Sequence, residues 1–124
     1  MKIGISSTGE NLDADIDQRF GRCQYFLIID IETMKVKTLS NDATLSSGGA
    51  GIQAAQIVTK EGVDVVITGN IGPNAFQILQ AAGVKVYTGA EGTVQEVLES
   101  YRKGNLKETG EANVGSHAGI GGRK

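Results

Sequence analysis

The sequence predicts an α/β fold: a mixed five-stranded sheet of order 3-2-1-4-5, strand two antiparallel, with three helices. Three observations carry that expectation. Two apolar runs, residues 25–31 and 34–39, are separated by only a couple of polar residues, and the second alternates strictly, as a hairpin strand does. Beyond residue 50, stretches with apolar residues at i, i+3, i+4 and i+7 alternate with short β-branched runs, the pattern of parallel strands joined by helices. Small-residue loops stand at the handovers: Ser47-Gly48-Gly49-Ala50-Gly51, Gly69-Asn70-Ile71-Gly72-Pro73 and Gly89-Ala90-Glu91-Gly92.

The elements follow in order. Residues 2–7 alternate in part and run into a polar stretch, giving strand one. Residues 25–31 are nearly all apolar, as an inner strand is, and 34–39, bearing Lys35 and Lys37, form its neighbour at the sheet edge. A helix beginning at Ile52 stops near Gly62, where glycine suits a C-terminal cap. Residues 63–68 are apolar and β-branched apart from Asp64, as a buried parallel strand requires. Ala75, Ile78, Leu79 and Ala82 make the stripe of a second helix, with Pro73 suited to its first turn and Gly83 to its end. Residues 84–87 give strand five. Val94, Val97, Leu98 and Tyr101 give helix three, with Thr93 as N-cap and Glu96 completing a capping box. From Gly104 apolar periodicity ceases, so the chain divides into a domain over residues 1–103 and a flexible glycine-rich tail over 104–124.

A chain of 124 residues is one domain, large enough to bury a core without metal or disulfide staples. With 12 basic and 14 acidic side chains the formal charge is −2, which provides no general attraction to nucleic acid or an anionic membrane. Neither a signal peptide nor a membrane-spanning run is present, so a cytoplasmic protein is expected. The single cysteine, Cys23, excludes an internal disulfide and any cluster site built from several thiolates of one chain.

The predicted sheet order brings the ends of strands one, three, four and five and the start of strand two to one rim, where open α/β sheets hold ligands. Candidate binding residues gather there: Arg19, Gly21, Arg22 and Cys23 before strand two; Gly48, Gly49 and Gly51 before helix one; Asn70 and Gly72 before helix two. Glycines let backbone N–H groups approach an anion, and arginines beside a thiol lower its pKa. Cys23 and the one histidine, His117, are the candidate metal ligands, set against the plainer reading of a lone free cysteine as a small buried filler. At about 3.3–3.6 Å per extended residue, the tail is long enough to bring His117 back to the rim.

Several chemistries are disfavoured. Asp13-Ala14-Asp15-Ile16-Asp17 spaces its carboxylates like a calcium loop, but Gln18 and Gln24 stand where glycine and a bidentate glutamate belong. Strand one, with Ile3-Gly4-Ile5, lacks the carboxylates of a two-metal nuclease. No lysine follows the glycines of residues 47–51, so there is no Walker-type loop, and no Ser-His-Asp set can be assembled.

The segments Asp17-Gln18-Arg19-Phe20-Gly21-Arg22-Cys23-Gln24-Tyr25-Phe26, Gly49-Ala50-Gly51-Ile52-Gln53-Ala54-Ala55, residues 62–76 and Ala82-Gly83-Val84-Lys85-Val86-Tyr87 resemble, in order, the dinitrogenase iron–molybdenum cofactor biosynthesis family of NifX and the NifB C-terminal region. The resemblance implies a ribonuclease-H-like fold without nuclease activity. It also implies a non-enzymatic carrier or accessory protein that binds an iron–sulfur or molybdenum–iron–sulfur cluster or its precursor and works with cluster-assembly proteins. Many relatives carry alanine where Cys23 stands, so contact through backbone donors and arginines is implied. The alternatives are an enzyme or sensor for a small phosphorylated or nucleotide ligand, and a plain interaction module.

Overall fold

A computed structural model describes residues 1–41 and 49–110. The chain runs β1 (Lys2–Ser7), β2 (Tyr25–Asp30), β3 (Lys35–Ser40), α1 (Ala50–Lys60), β4 (Val65–Ile67), α2 (Pro73–Ala81), β5 (Lys85–Tyr87) and α3 (Val94–Arg102). The strands lie in the order β3-β2-β1-β4-β5, as expected. β2 is antiparallel to both neighbours, whereas β1, β4 and β5 run parallel, with Ile5 opposite both Leu27 and Ile67 and Ile67 opposite Tyr87.

Two hydrophobic cores, one on each face of the sheet, explain the near-continuous apolar runs. In β2, Phe26 and Ile28 point to the face covered by α1 and α2, where they meet Ala54, Val58 and Leu79. Leu27 and Ile29 point to the opposite face, beneath Val94, Val97 and Leu98 of α3. A strand buried on both sides cannot alternate apolar with polar, and its period is hidden. The edge strand β3 is exposed except for Leu39, which is partly covered, so its alternation survives in the sequence.

Boundaries shift locally for identifiable reasons. Met34, expected in a strand, takes φ 60° in the β2–β3 turn, where its N–H donates to the Asp30 carbonyl at 2.7 Å. Helix α1 begins at Ala50, two residues before the first residue of its apolar stripe, because small residues continue the turn.

The start of the tail differs from expectation. Instead of leaving the domain, the chain returns antiparallel along the outer edge of β5, with Glu108 bridging Tyr87 and Thr109 N–H donating to the Val86 carbonyl at 2.7 Å. The hydroxyls of Thr88 and Thr109 meet at 2.7 Å, and Leu106 packs against the α3 core. This short segment satisfies donors and acceptors that an open sheet edge would leave to solvent. Among the described residues no helix is long and apolar enough to cross a membrane.

Candidate functional site: a cleft between two helix N-termini

A cleft of about 460 Å³ opens where residues 19–22, 49–52 and 70–75 meet. Each wall has its own anchor. Residues 17–20 are sewn to the C-terminal end of the central strand β1: Asp17 N–H donates to the Ser6 carbonyl at 2.9 Å, and Ser6 Oγ donates to the Asp17 carbonyl at 2.7 Å. Further along, Asn70 N–H donates to the Gln18 carbonyl at 2.7 Å and Phe20 N–H to the Asn70 carbonyl at 3.2 Å. Phe20 is buried against Phe26 with ring centroids 5.1 Å apart, so an apolar anchor holds a loop whose arginines face outward.

The Arg19–Arg22 loop lies directly on the first turn of α1. A Cβ at Gly21 would stand 3.0 Å from both the nitrogen and the Cα of Gly51, so any larger residue would push this loop off the helix backbone. From below, the buried Asn41 side-chain amide donates to the Cys23 carbonyl at 2.8 Å and the Gly21 carbonyl at 3.4 Å.

Both helices that point at the cleft begin without a side-chain cap. Gly49, at φ 71°, precedes α1 and Gly72 precedes α2; neither helix has a side-chain cap bond or an acid in its first turn. The first N–H groups of a helix have no intrahelical acceptor and carry its partial positive charge. In contrast, Thr93 and Glu96 close the start of α3 with a complete capping box, at 3.1 and 2.9 Å. The first turns of α1 and α2 therefore both line the cleft, together with Arg19 and Arg22.

Asp17 moderates this positive character. Its Oδ1 accepts from the Arg19 backbone N–H at 2.9 Å and from Arg19 Nε at 3.3 Å, holding an otherwise exposed side chain in place. The local positive charge is smaller than two arginines alone would give.

Of the expected binding residues, Arg19, Gly21, Arg22, Gly49, Gly51, Asn70 and Gly72 all line this cleft. Gly48 and His117 lie outside the described residues. Cys23 sits elsewhere: it is fully buried in the α1–α2 core, its Sγ donating to the Phe20 carbonyl at 3.4 Å with Asn41 Nδ2 at 3.6 Å. Burial, followed by the Asp17 charge, pushes its thiol up to about 12 despite the Asn41 contact. A protonated core thiol is a poor metal ligand, contrary to the reading of Cys23 as a flanked, activated sulfur.

The third glycine loop stays on the same rim but outside the cleft. Gly89 N–H donates to the Gly69 carbonyl at 2.9 Å, while Ala90 turns into the α3 core on the other face and Gly92 O accepts from Ile16 N–H at 2.9 Å. The cleft gains Ile52, Ile71 and Pro73 as apolar lining instead. Asn41 had no sequence signal, being one polar residue in a polar loop. Asn74 and Ala75 were signalled by Pro73, which marks the first turn of α2.

Fold and site together define a small three-layer α/β protein with a cleft of backbone donors and arginines at the strand ends. The chain belongs to the dinitrogenase iron-molybdenum cofactor family, matched over residues 1–104. The apo form of the orange protein from Desulfovibrio gigas is similar at 39% identity, covering 91% of this chain and 96% of that one, with a TM-score of 0.89. A Thermotoga protein described as a candidate NifB also shares 39% identity, over 86% of this chain and 91% of its own, with a TM-score of 0.76. An uncharacterised protein of Methanocaldococcus jannaschii is 29% identical over 111 residues, which are 87% of this chain and 91% of that one.

Proposed function

We propose that this protein carries an anionic iron–sulfur or iron–molybdenum type cluster, or a precursor of one, between the N-termini of α1 and α2. The observation that carries the proposal is that two uncapped helix starts and two arginines face one cleft. Such an arrangement stabilises negative charge without a covalent bond to it. Membership of a family named for the iron-molybdenum cofactor supports the choice of cargo.

The lining suits carriage. Among the described residues of the cleft there is no carboxylate, imidazole, hydroxyl or thiol to move a proton or attack a substrate. Nor do the described residues contain a group of three or more His, Cys, Asp or Glu side chains able to hold a bare metal ion. These walls suit a cargo that brings its own sulfur ligands. Ile52, Ile71 and Pro73 would cover part of its surface, while Arg19, Arg22 and the helix N–H groups would bond its outer sulfurs or oxygens. Donor and recipient would be cluster-assembly proteins.

Anaerobic reconstitution with iron and sulfide, with and without molybdate, tests this reading through absorption spectra and metal retained per chain. Retention in the wild type and a clear loss in Arg22→Ala are expected. No retained metal, or equal retention in the variant, would remove the site. Stabilisation by nucleotides with no response to clusters would instead assign the cleft to a phosphorylated ligand.

A further inference from the structure

Three glycines meet where the 19–22 loop crosses α1, and the described residues explain only two of them. Gly49 has φ 71°, a backbone state that L side chains rarely adopt. Gly21 lies against the backbone of Gly51, which a Cβ would crowd at 3.0 Å. Gly51 has neither reason. It is the second residue of α1 and its φ is not positive. Among the described residues, a Cβ there would meet only Ala75 Cβ, at an ordinary 3.5 Å. Alanine is also the better helix former.

Among the described residues, therefore, Gly51 stands where alanine would have room. The missing atom would lie between the first turns of α1 and α2, since Gly51 and Ala75 both line the cleft. We infer that Gly51 is a specificity-determining position: its bare backbone lets a ligand atom rest directly on the N–H groups opening α1. This rests on the cluster-carriage reading and adds to it the feature that limits what the cleft admits. A methyl group at this point occupies the approach to those donors. It keeps any ligand atom about 3.5–4.0 Å from the methyl carbon, where the bare backbone would have allowed that atom to settle.

The prediction separates stability from binding. Wild type, Gly51→Ala and Gly51→Leu are each prepared without metal, melted, and then reconstituted anaerobically with iron, sulfide and molybdate. Gly51→Ala is expected to melt at or above the wild-type temperature yet retain about tenfold less metal, and Gly51→Leu is expected to retain less still. If Gly51→Ala melts below wild type, glycine is needed by the fold and the inference is overturned. Equal metal retention in wild type and Gly51→Ala overturns it as well, while leaving the carriage reading intact. Wild-type protein that retains no metal removes the carriage reading and this inference together.

Discussion

The side-chain amide of Asn41 donates to the main-chain carbonyl of Cys23 over 2.8 Å, tying the end of β3 to the loop beneath the cleft. The same nitrogen reaches the Gly21 carbonyl at 3.4 Å, and Asn41 N–H donates to the Gln24 carbonyl at 2.9 Å. Replacing Asn41 by alanine leaves a buried carbonyl without its donor, a loss of about 1–3 kcal/mol. Urea denaturation of Asn41→Ala should show a lower midpoint with an unchanged slope, and metal retention should fall because the Gly21 loop is loosened. An unaltered midpoint would mean that the amide contributes nothing to holding the loop.

The buried thiol makes a pH prediction. Burial and Asp17 raise Cys23 from 9.0 to about 12, so the folded state keeps its proton at pH values where the unfolded chain has lost it. The resulting contribution to stability is whole below about pH 9 and is lost as pH climbs toward about 12. Wild-type stability should therefore fall more steeply across that window than that of Cys23→Ala. At neutral pH a thiol reagent should label Cys23 slowly in native protein and rapidly in urea. Parallel pH curves for the two proteins would contradict the assigned shift.

Asp17 links the thiol to the cleft. Its charge raises the Cys23 pKa and also sits against Arg19. Asp17→Asn can keep the acceptor for Arg19 N–H while removing the charge. Ultraviolet titration of the thiolate should place Cys23 lower than in wild type, though still above its ordinary value because burial is the larger cause. At limiting iron, sulfide and molybdate the variant should retain more metal. A fall in retention would show that Asp17 serves the cargo mainly by orienting Arg19.

Helix α3 provides a control on the opposite face. Removing the capping hydroxyl in Thr93→Ala deprives Glu96 N–H of its 3.1 Å acceptor and should cost about 0.5–2 kcal/mol. Metal retention, measured well below the melting temperature, should not change. A loss comparable to that of Arg22→Ala would place the cargo on the wrong side of the sheet.

Periodicity carried most of the architecture. Helical stripes, the alternating β3 and the short link between β2 and β3 were enough to order the sheet, because each reports a local repeat that burial enforces. Burial of single polar or small residues has no such repeat. Nothing around Cys23 distinguishes a core thiol from an exposed one; the difference arises when Asn41 and Asp17 fold against it. The loop over residues 89–92 carries the same glycines as the other two, yet α3 covers the opposite face and draws Ala90 into that core. The return along β5 rests on Leu106 and on paired threonine hydroxyls, too few residues to make a pattern. For the candidate site, the glycines before α1 and α2 line the cleft, and which of them the backbone requires emerged only from φ and from the space around each Cβ.

The most direct test of the central claim is a map of backbone amide resonances of nitrogen-labelled protein before and after anaerobic reconstitution with iron, sulfide and molybdate. The largest changes should fall on Gly51, Ile52, Asn74 and Ala75 and along residues 19–22, with Val94 and Glu96 unmoved. Changes centred on α3 or β3, or none where α1 and α2 begin, would contradict it.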